Sequence, residues 1–236
     1  MREVRCALEA VISRTHDVKS FRFTKPDDFD FVVGQFVWVM FDEADPRNKN
    51  LNKILSLSCC PDKDYLEVTK KISKSDFSKA LLKLRHGDEV LIKGAAGRCT
   101  VDILGPDVCF LSGGIGITPV YPMLEYVTQK GLEHELTLIY ANWTEQDIVF
   151  KEEINRLQDR NPRIQVYHVL AETDHEDEHR LKGMIDQRVM EQCVPDIDQK
   201  EFFIFGPPAM VASMKSLCES LGVASDRIMT ESFTGY

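Results

Sequence analysis

No apolar run in this sequence approaches the roughly 20 residues that a membrane-spanning helix needs. The opening residues, Met1-Arg2-Glu3-Val4-Arg5, are too acidic and too weakly apolar for a secretory signal. A cytoplasmic location and no membrane partner are the expectations that follow. Positive charge is scarce as well: 29 Lys and Arg stand against 38 Asp and Glu, a net charge of −9. Nucleic acid is bound through basic surfaces, so it is not an expected partner. The cysteines are Cys6, Cys59, Cys60, Cys99, Cys109, Cys193 and Cys218, an odd number without any CxxC spacing. That pattern argues against a disulfide framework, a structural zinc site and an iron–sulfur cluster. Most of the thiols are expected to be small buried hydrophobes. Internal repeats and low-complexity segments are also missing.

What is present is an ordinary globular composition: 236 residues, 43% hydrophobic and 28% charged. This suffices for one large domain or two small ones with real cores. The first hundred residues read as β structure. Phe21 and Phe23 alternate with polar neighbours, and residues 36–41 are apolar on both faces. Residues 54–58 and 65–69 are further strands, and Gly87-Asp88 is a turn entering another. Only residues 77–84 have helical spacing here. Many short strands between turns imply a small closed barrel. After Leu104-Gly105-Pro106-Asp107, a plausible linker, the pattern changes. Strands at 108–111, 136–140, 164–170 and 202–205 alternate with helices at 119–128, 150–159, 184–191 and 209–221. Alternation of this kind implies a parallel sheet with helices on both faces.

Two turns in this second half carry chemical information. Ser112-Gly113-Gly114-Ile115-Gly116-Ile117-Thr118-Pro119 leaves an apolar strand and opens a helix. Glycines let a backbone approach a pyrophosphate, and a helix start offers N–H groups and a positive dipole end. Pro119 suits a first helical position, because its missing N–H would be unpaired there. Gly206-Pro207-Pro208-Ala209-Met210 likewise separates a strand from a helix. In an open parallel sheet both turns would lie at the strand ends where ligands bind.

The order of these two turns, with Ile139-Tyr140-Ala141-Asn142-Trp143-Thr144 between them and Glu231-Ser232-Phe233 near the end, resembles the ferredoxin–NADP reductase superfamily along essentially the whole chain. The resemblance implies an N-terminal antiparallel Greek-key FAD-binding barrel over residues 1–103. A C-terminal parallel-sheet, Rossmann-like NAD(P)-binding domain over residues 104–236 would follow. It implies that Gly113, Gly114, Gly116, Thr118 and Pro119 meet the NAD(P)H pyrophosphate and nicotinamide, with Asn142 nearby. Gly206, Pro207, Pro208 and Met210 would line the nicotinamide approach. Glu231 would lie close to hydride transfer, and Phe233 or Tyr236 would cover the flavin; simple packing is the alternative for these aromatics. Two positions depart from the family. Phe205 stands where many members have Cys, and Trp143 where Arg is frequent. An Arg there would pair with a 2′-phosphate, so its absence tilts the expectation toward NADH, although Lys151, Arg156 or Arg160 could substitute.

The family's flavin motif, Arg-x-Tyr-Ser/Thr, corresponds to Lys53-Ile54-Leu55-Ser56. Lys53 keeps a positive charge but not the planar fork of Arg, and Leu55 lacks the Tyr ring and hydroxyl. Alone, this segment also fits an ordinary barrel strand. Phe77-Ser78 resembles the family's short helix start at the flavin pyrophosphate, and Val68, Thr69 and Lys70 fall in the same implied site. Gly34-Gln35-Phe36-Val37 and residues 84–97 follow the family order. The resemblance thus implies FAD and NAD(P)H as cofactors, with Ser56, Thr118 and Glu231 shaping the catalytic site where nicotinamide stacks on flavin. With no ferredoxin or globin fused, the electron acceptor or donor is expected to be separate, ferredoxin or another carrier. Two rivals stand beside the enzyme: an electron-transfer subunit of a larger complex, and a non-catalytic regulatory subunit with weak flavin binding.

Three other features have two readings each. Lys70, Lys71, Lys74, Lys79, Lys83 and Arg85 form either a solvated face or a docking surface for an acidic carrier or cofactor phosphate. The run from His175 to His179 is a solvated loop or a metal site, the loop being favoured, and no metal is expected. Cys59-Cys60 is a buried pair or a redox pair, burial being favoured because adjacent cysteines rarely reach relaxed disulfide geometry.

Overall fold

Short apolar runs punctuated by turns build the first part of the molecule. The computed structural model describes residues 2–233. Among the described residues, those up to Val101 form one compact unit and those from Asp102 to Phe233 form a second.

The first unit contains β1 (Arg2–Ser13), β2 (Val18–Thr24), β3 (Phe36–Met40), β4 (Asn52–Ser56), β5 (Tyr65–Lys71), α1 (Asp76–Lys83) and β6 (Glu89–Ala96). The strands pair antiparallel in the order β4-β3-β6-β1-β2-β5. The two ends of this sheet meet where Leu57 bridges Val68 and the Ser58 N–H donates to the Glu67 carbonyl at 2.8 Å. The sheet therefore curls into a nearly closed barrel, which removes the exposed edges a flat sheet would keep. Inward-facing Phe21, Phe23, Val37, Val39, Leu66 and Val68 fill it. Helix α1 adds Phe77, whose ring meets Phe41 edge-on at 5.4 Å. Ser75 caps α1 by accepting the Ser78 N–H at 3.2 Å. Pattern reading misses β1, where Arg and Glu interrupt any apolar run and only Cys6 and Leu8 are buried.

A polar network closes the barrel seam. Glu67 is 2% exposed. Its carboxylate accepts from Arg22 Nε at 2.7 Å, from Arg14 at 3.1 and 3.2 Å, and from the Ser58 hydroxyl at 3.3 Å. The Thr69 hydroxyl is shared with Ser20 and Ser58, each at 2.7 Å. Strands β2 and β5 are thereby tied to the segment after β4.

The second unit contains β7 (Asp107–Gly113), α2 (Ile117–Lys130), β8 (Glu135–Asn142), α3 (Lys151–Arg160), β9 (Ile164–Leu170) and β10 (Arg180–Lys182). They are followed by α4 (Gln187–Cys193), β11 (Glu201–Gly206), α5 (Pro208–Ser220) and β12 (Ile228–Ser232). All strand pairs are parallel, in the order β10-β9-β8-β7-β11-β12. Strand β7 is buried along nearly its whole length, as expected of a strand covered on both faces. On one face Cys109, Leu111, Ile139 and Ile204 pack against Val189 and Met190 of α4 and Val211 and Met214 of α5. Helix α2 ends at Gly131 in the left-handed region (φ 61°), where the N–H groups of Gly131 and Leu132 donate back to Thr128 and Val127. The chain steps outward from β7 to β10 and then returns to lay β11 on the other side of β7. That reversal creates a switch point between β7 and β11.

No helix among the described residues is long and apolar enough to cross a membrane. All seven cysteines are buried except the half-buried Cys99. Burial pushes the Cys6 and Cys218 thiols up to about 12, which keeps them protonated and unreactive.

Candidate functional site

Strand β7 ends in Gly113, and residues Gly114–Gly116 make a single 3-10 turn leading into α2. Strand β11 ends in Gly206, and Pro207 caps α5. Because β7 and β11 are adjacent and parallel, both turns emerge together at the switch point. They interlock. A Cβ on Gly116 would overlap the Phe205 carbonyl oxygen and lie 2.7 Å from its carbon. Met210 fills the corner between the turns: a Cβ on Gly113 would overlap its sulfur, and one on Gly206 would come within 3.0 Å of it. Gly114 is there for another reason. Its φ is +52°, and a Cβ would meet nothing within 4 Å, so left-handed backbone faces open space.

Two hydroxyls hold this turn. Tyr140, fully buried on β8, donates to the Gly114 carbonyl at 2.9 Å and accepts from the Val149 N–H at 3.3 Å. Burial pushes its phenol up, so the donor proton stays. Thr118, 4% exposed, donates to the Ile115 carbonyl at 3.0 Å. Pro119 is the third residue of α2 rather than the first, because the helix begins two residues earlier than its apolar spacing suggests. It remains inside the first turn, where a helical N–H has no partner anyway. The whole is a rigid, open backbone cradle at a helix start, which suits an anion.

The groups around the cradle are polar or poised. Ser112 Oγ on β7 and the side-chain amide of Asn142 at the end of β8 are buried without a well-formed hydrogen bond. His168 on β9 lies beside Tyr140, ring centroids 6.0 Å apart, and burial pushes it down to about 4, so it is neutral. Lys151 and Arg180 both pair with Glu145, at 2.8 and 3.0 Å. On the β11 side, Glu231 of β12 lies opposite Phe205, and burial pushes its carboxyl up to about 7. The Phe233 N–H donates to the Gly206 carbonyl at 2.9 Å, and its ring lies nearly parallel to that of Phe205 at 6.5 Å. The structure thus gathers Gly113, Gly114, Gly116, Thr118, Asn142, Gly206, Pro207, Pro208, Met210, Glu231 and Phe233 at one end of one sheet. Tyr236 lies outside the described residues.

In the barrel unit the singled-out residues divide. Ser56 ends β4 and is buried, Ile54 is exposed, and Lys53 and Leu55 are half-buried, Leu55 packing on the barrel core. Lys70 on β5 is 4% exposed, and its Nζ donates to the Lys71 carbonyl at 2.9 Å. Burial, with the like charge of Lys53 added, pushes it down to about 8. An anion beside these two lysines would relieve their repulsion. Val68 and Phe77 point into the core, and the hydroxyls of Thr69 and Ser78 are bonded inside the unit, Ser78 accepting the Ser73 N–H at 3.2 Å. These four side chains shape the barrel. The basic run is partly neutralised, Lys71 by Asp17 and Lys79 by Asp76, each at 2.9 Å. The loop is exposed from His175 to Glu178, and His179 is half-buried. Among the described residues no cluster of His, Cys, Asp or Glu has metal-holding geometry.

Sequence reasoning misses Tyr140 and the Glu67 network. Tyr140 ends a mostly apolar run and reads as core, and the one available signal is a phenolic hydroxyl in a buried strand. The partners of Glu67 follow only from strand register, which sets Arg22 opposite it.

Comparison with known proteins agrees with this geometry. Residues 110–216 match the family model of the oxidoreductase NAD-binding domain. The chain is 29% identical over 238 residues to the glycine betaine monooxygenase reductase subunit of Chromohalobacter salexigens, covering 98% of the chain and 63% of that relative. It is 25% identical over 223 residues to NADH-cytochrome b5 reductase 1 of Dictyostelium discoideum, covering 91% of the chain and 77% of the relative. Its structure matches a ferredoxin NADP+ reductase from Neisseria gonorrhoeae with bound FAD and NADP, with TM-score 0.83, 20% identity, and 98% and 99% of the two chains covered. The cytochrome b5 reductase domain of Ulva prolifera nitrate reductase matches with TM-score 0.84 and 21% identity, covering 98% and 97%. The chain therefore has the ferredoxin–NADP reductase-like fold, an antiparallel barrel followed by a parallel sheet with helices. The match to the oxidoreductase NAD-binding domain falls within its second unit.

Proposed function

We propose that this protein is a flavin-dependent oxidoreductase that takes a hydride from NAD(P)H, preferably NADH, and passes electrons to a separate acceptor. The observation that carries this reading is the interlock of two glycine turns at the switch point, where Gly116 touches the backbone of Phe205 and Gly114 faces open space. In this reading the cradle from Gly113 to Thr118 holds the dinucleotide pyrophosphate on the start of α2, and Gly206 and Pro207 border the nicotinamide. Lys53 and Lys70 hold the anionic part of FAD on the barrel unit, and Ser56 orients its ring. FAD, when bound, supplies the ring that accepts a hydride and releases electrons singly or in pairs. Domain limits of 1–103 for flavin and 104–236 for the nucleotide are part of the proposal.

The preference for NADH rests on the cations. Trp143 stands where an Arg would meet a 2′-phosphate, and the nearby Lys151 and Arg180 are both engaged by Glu145. Stopped-flow reduction of the FAD-loaded chain is expected to be faster with NADH than with NADPH; a large advantage for NADPH would refute the preference. For the acceptor, the likeness to a monooxygenase reductase subunit favours a protein partner such as a ferredoxin or an oxygenase component. The chain spans 63% of that relative's length, so any element outside the match is beyond this comparison.

Glu231 gives the reading a pH signature. Its carboxyl is raised from 4.5 to about 7 in the folded protein. The folded state therefore holds a proton that the unfolded state releases, and stability falls as pH rises through that window. Below it Glu231 is protonated in both states, and above it the full cost of a buried charge is present. Flavin reduction is expected to show an inflection near 7 that Glu231→Gln removes, together with the stability slope. An unchanged profile in the variant would separate Glu231 from the site.

A further inference from the structure

The sheet face that packs on α4 and α5 changes character along its length. At mid-height it is apolar, with Leu111, Ile139 and Val169 in the core. Two to four residues earlier, at the amino ends of the same strands, this face carries Asp107, Glu135, Thr137 and Gln165. A strand covered on both faces is normally apolar throughout. Helix α4 stops at Cys193, and between its end and these residues lies a cavity of about 320 Å³. Lys200 lines it, although that residue is only 6% exposed. An ammonium has three N–H donors. Among the described residues Lys200 makes one hydrogen bond, to Asp107, while Asp196 stands at 3.7 Å, beyond hydrogen-bond distance. A buried ammonium with donors to spare calls for an acceptor. The turn that presents it is fixed: the Gln199 N–H donates to the Asp196 carbonyl at 3.0 Å, and Arg227 donates to the Lys200 carbonyl at 3.2 Å.

Charge decides what the cavity takes. Lys200 pairs with Asp107 and Arg163 with Glu135, which leaves Asp196 as one surplus carboxylate in the lining. That surplus repels an anion, and the buried ammonium repels a cation. The other polar groups are uncharged: Thr137, Gln165, Tyr167 and Gln192. Hydroxyls and amides both donate and accept. The Tyr167 hydroxyl donates to the Gln165 amide oxygen at 3.2 Å, which orients that amide. A ligand hydroxyl can accept from Lys200 and donate to Asp196 at once. We infer that this cavity binds an uncharged polyhydroxy compound, a sugar or cyclic polyol of monosaccharide size. Its volume is at the small end for small-molecule sites, and its polar lining suits hydroxyls rather than an apolar ligand. The site lies at the opposite end of the strands from the glycine turns, so it does not depend on the proposed function.

The test is an NMR titration of the isotope-labelled full chain. The probes are D-glucose and myo-inositol, with acetate and ethylammonium as charged controls. The side-chain amide signals of Gln165 and Gln192 are assigned by their disappearance in Gln165→Ala and Gln192→Ala. They are expected to shift saturably with at least one of the two polyols, with a Kd of roughly 1 mM or tighter, and to stay in place with both controls. Lys200→Met keeps the buried stem and removes the ammonium, and is expected to weaken binding at least about tenfold. Thr137→Val keeps the shape and removes one hydroxyl, for an expected loss of about fivefold. This second variant carries the test if Lys200→Met fails to fold. Shifts that grow linearly and equally in wild type and Thr137→Val report sugar acting through bulk solvent and overturn the inference. A saturable shift with either charged control, or none with either polyol, overturns it as well.

Discussion

Gly116→Val is expected to unfold or severely weaken the second unit and to abolish nucleotide use. The first atom of the new side chain already overlaps the carbonyl of Phe205, which is backbone of the neighbouring strand β11 and cannot rotate away. Overpacking a tight interior costs about 1–3 kcal/mol when side chains can yield, and more when they cannot. A loss of about 3 kcal/mol or more is therefore expected, read as a shift in the denaturation midpoint of the second unit. Gly114→Ala is the informative partner. Its Cβ meets nothing, so the expected cost is only that of a left-handed residue, about 1–2 kcal/mol. Its main effect should fall on nucleotide affinity, because the added methyl stands in the space the pyrophosphate would use. Equal losses of stability in the two variants would mean that the turns do not interlock.

Glu67→Ala is expected to be the most damaging single change in the barrel unit. The carboxylate is buried between Arg14 and Arg22 and tied to Ser58. Removing one member of a buried pair leaves charge without a partner and typically costs about 3–5 kcal/mol. The barrel seam depends on this network, since Ser58 and Glu67 also pair through their backbones. Urea unfolding of the barrel unit should show the loss directly. Lys79→Ala, which breaks an exposed pair with Asp76, should be nearly silent because solvent screens such pairs. If Glu67→Ala were equally silent, the network would be ornamental to folding.

The two variants mark where sequence reading succeeds and where it stops. The turns after β7 and β11 are legible because glycine and proline directly follow apolar runs, and such punctuation has few other uses. Why each glycine is needed is not legible. Gly116 yields to a backbone far along the chain, Gly113 to a methionine in another helix, and Gly114 to conformation alone. The parallel sheet is legible from alternation, yet β10 and β12 are not, because short edge strands lack an apolar run. Val68 and Phe77 show the converse. Motif position draws them toward a cofactor, while burial assigns their side chains to the barrel interior. Glu67 reads as the polar face of a half-buried strand, and only the antiparallel register reveals the arginine set opposite it. Local pattern specifies elements well; groups that meet through tertiary pairing, Tyr140 with Gly114 among them, require the fold.

The most direct test of the central claim is one anaerobic titration. The purified chain is loaded with FAD, freed of excess flavin and mixed with NADH while the flavin absorption is followed. The expected result is stoichiometric bleaching with matching formation of NAD+, lost in Gly116→Val and weakened in Gly114→Ala. A chain that retains no FAD, or one whose bound flavin keeps its absorption under excess NADH and NADPH alike, would contradict it.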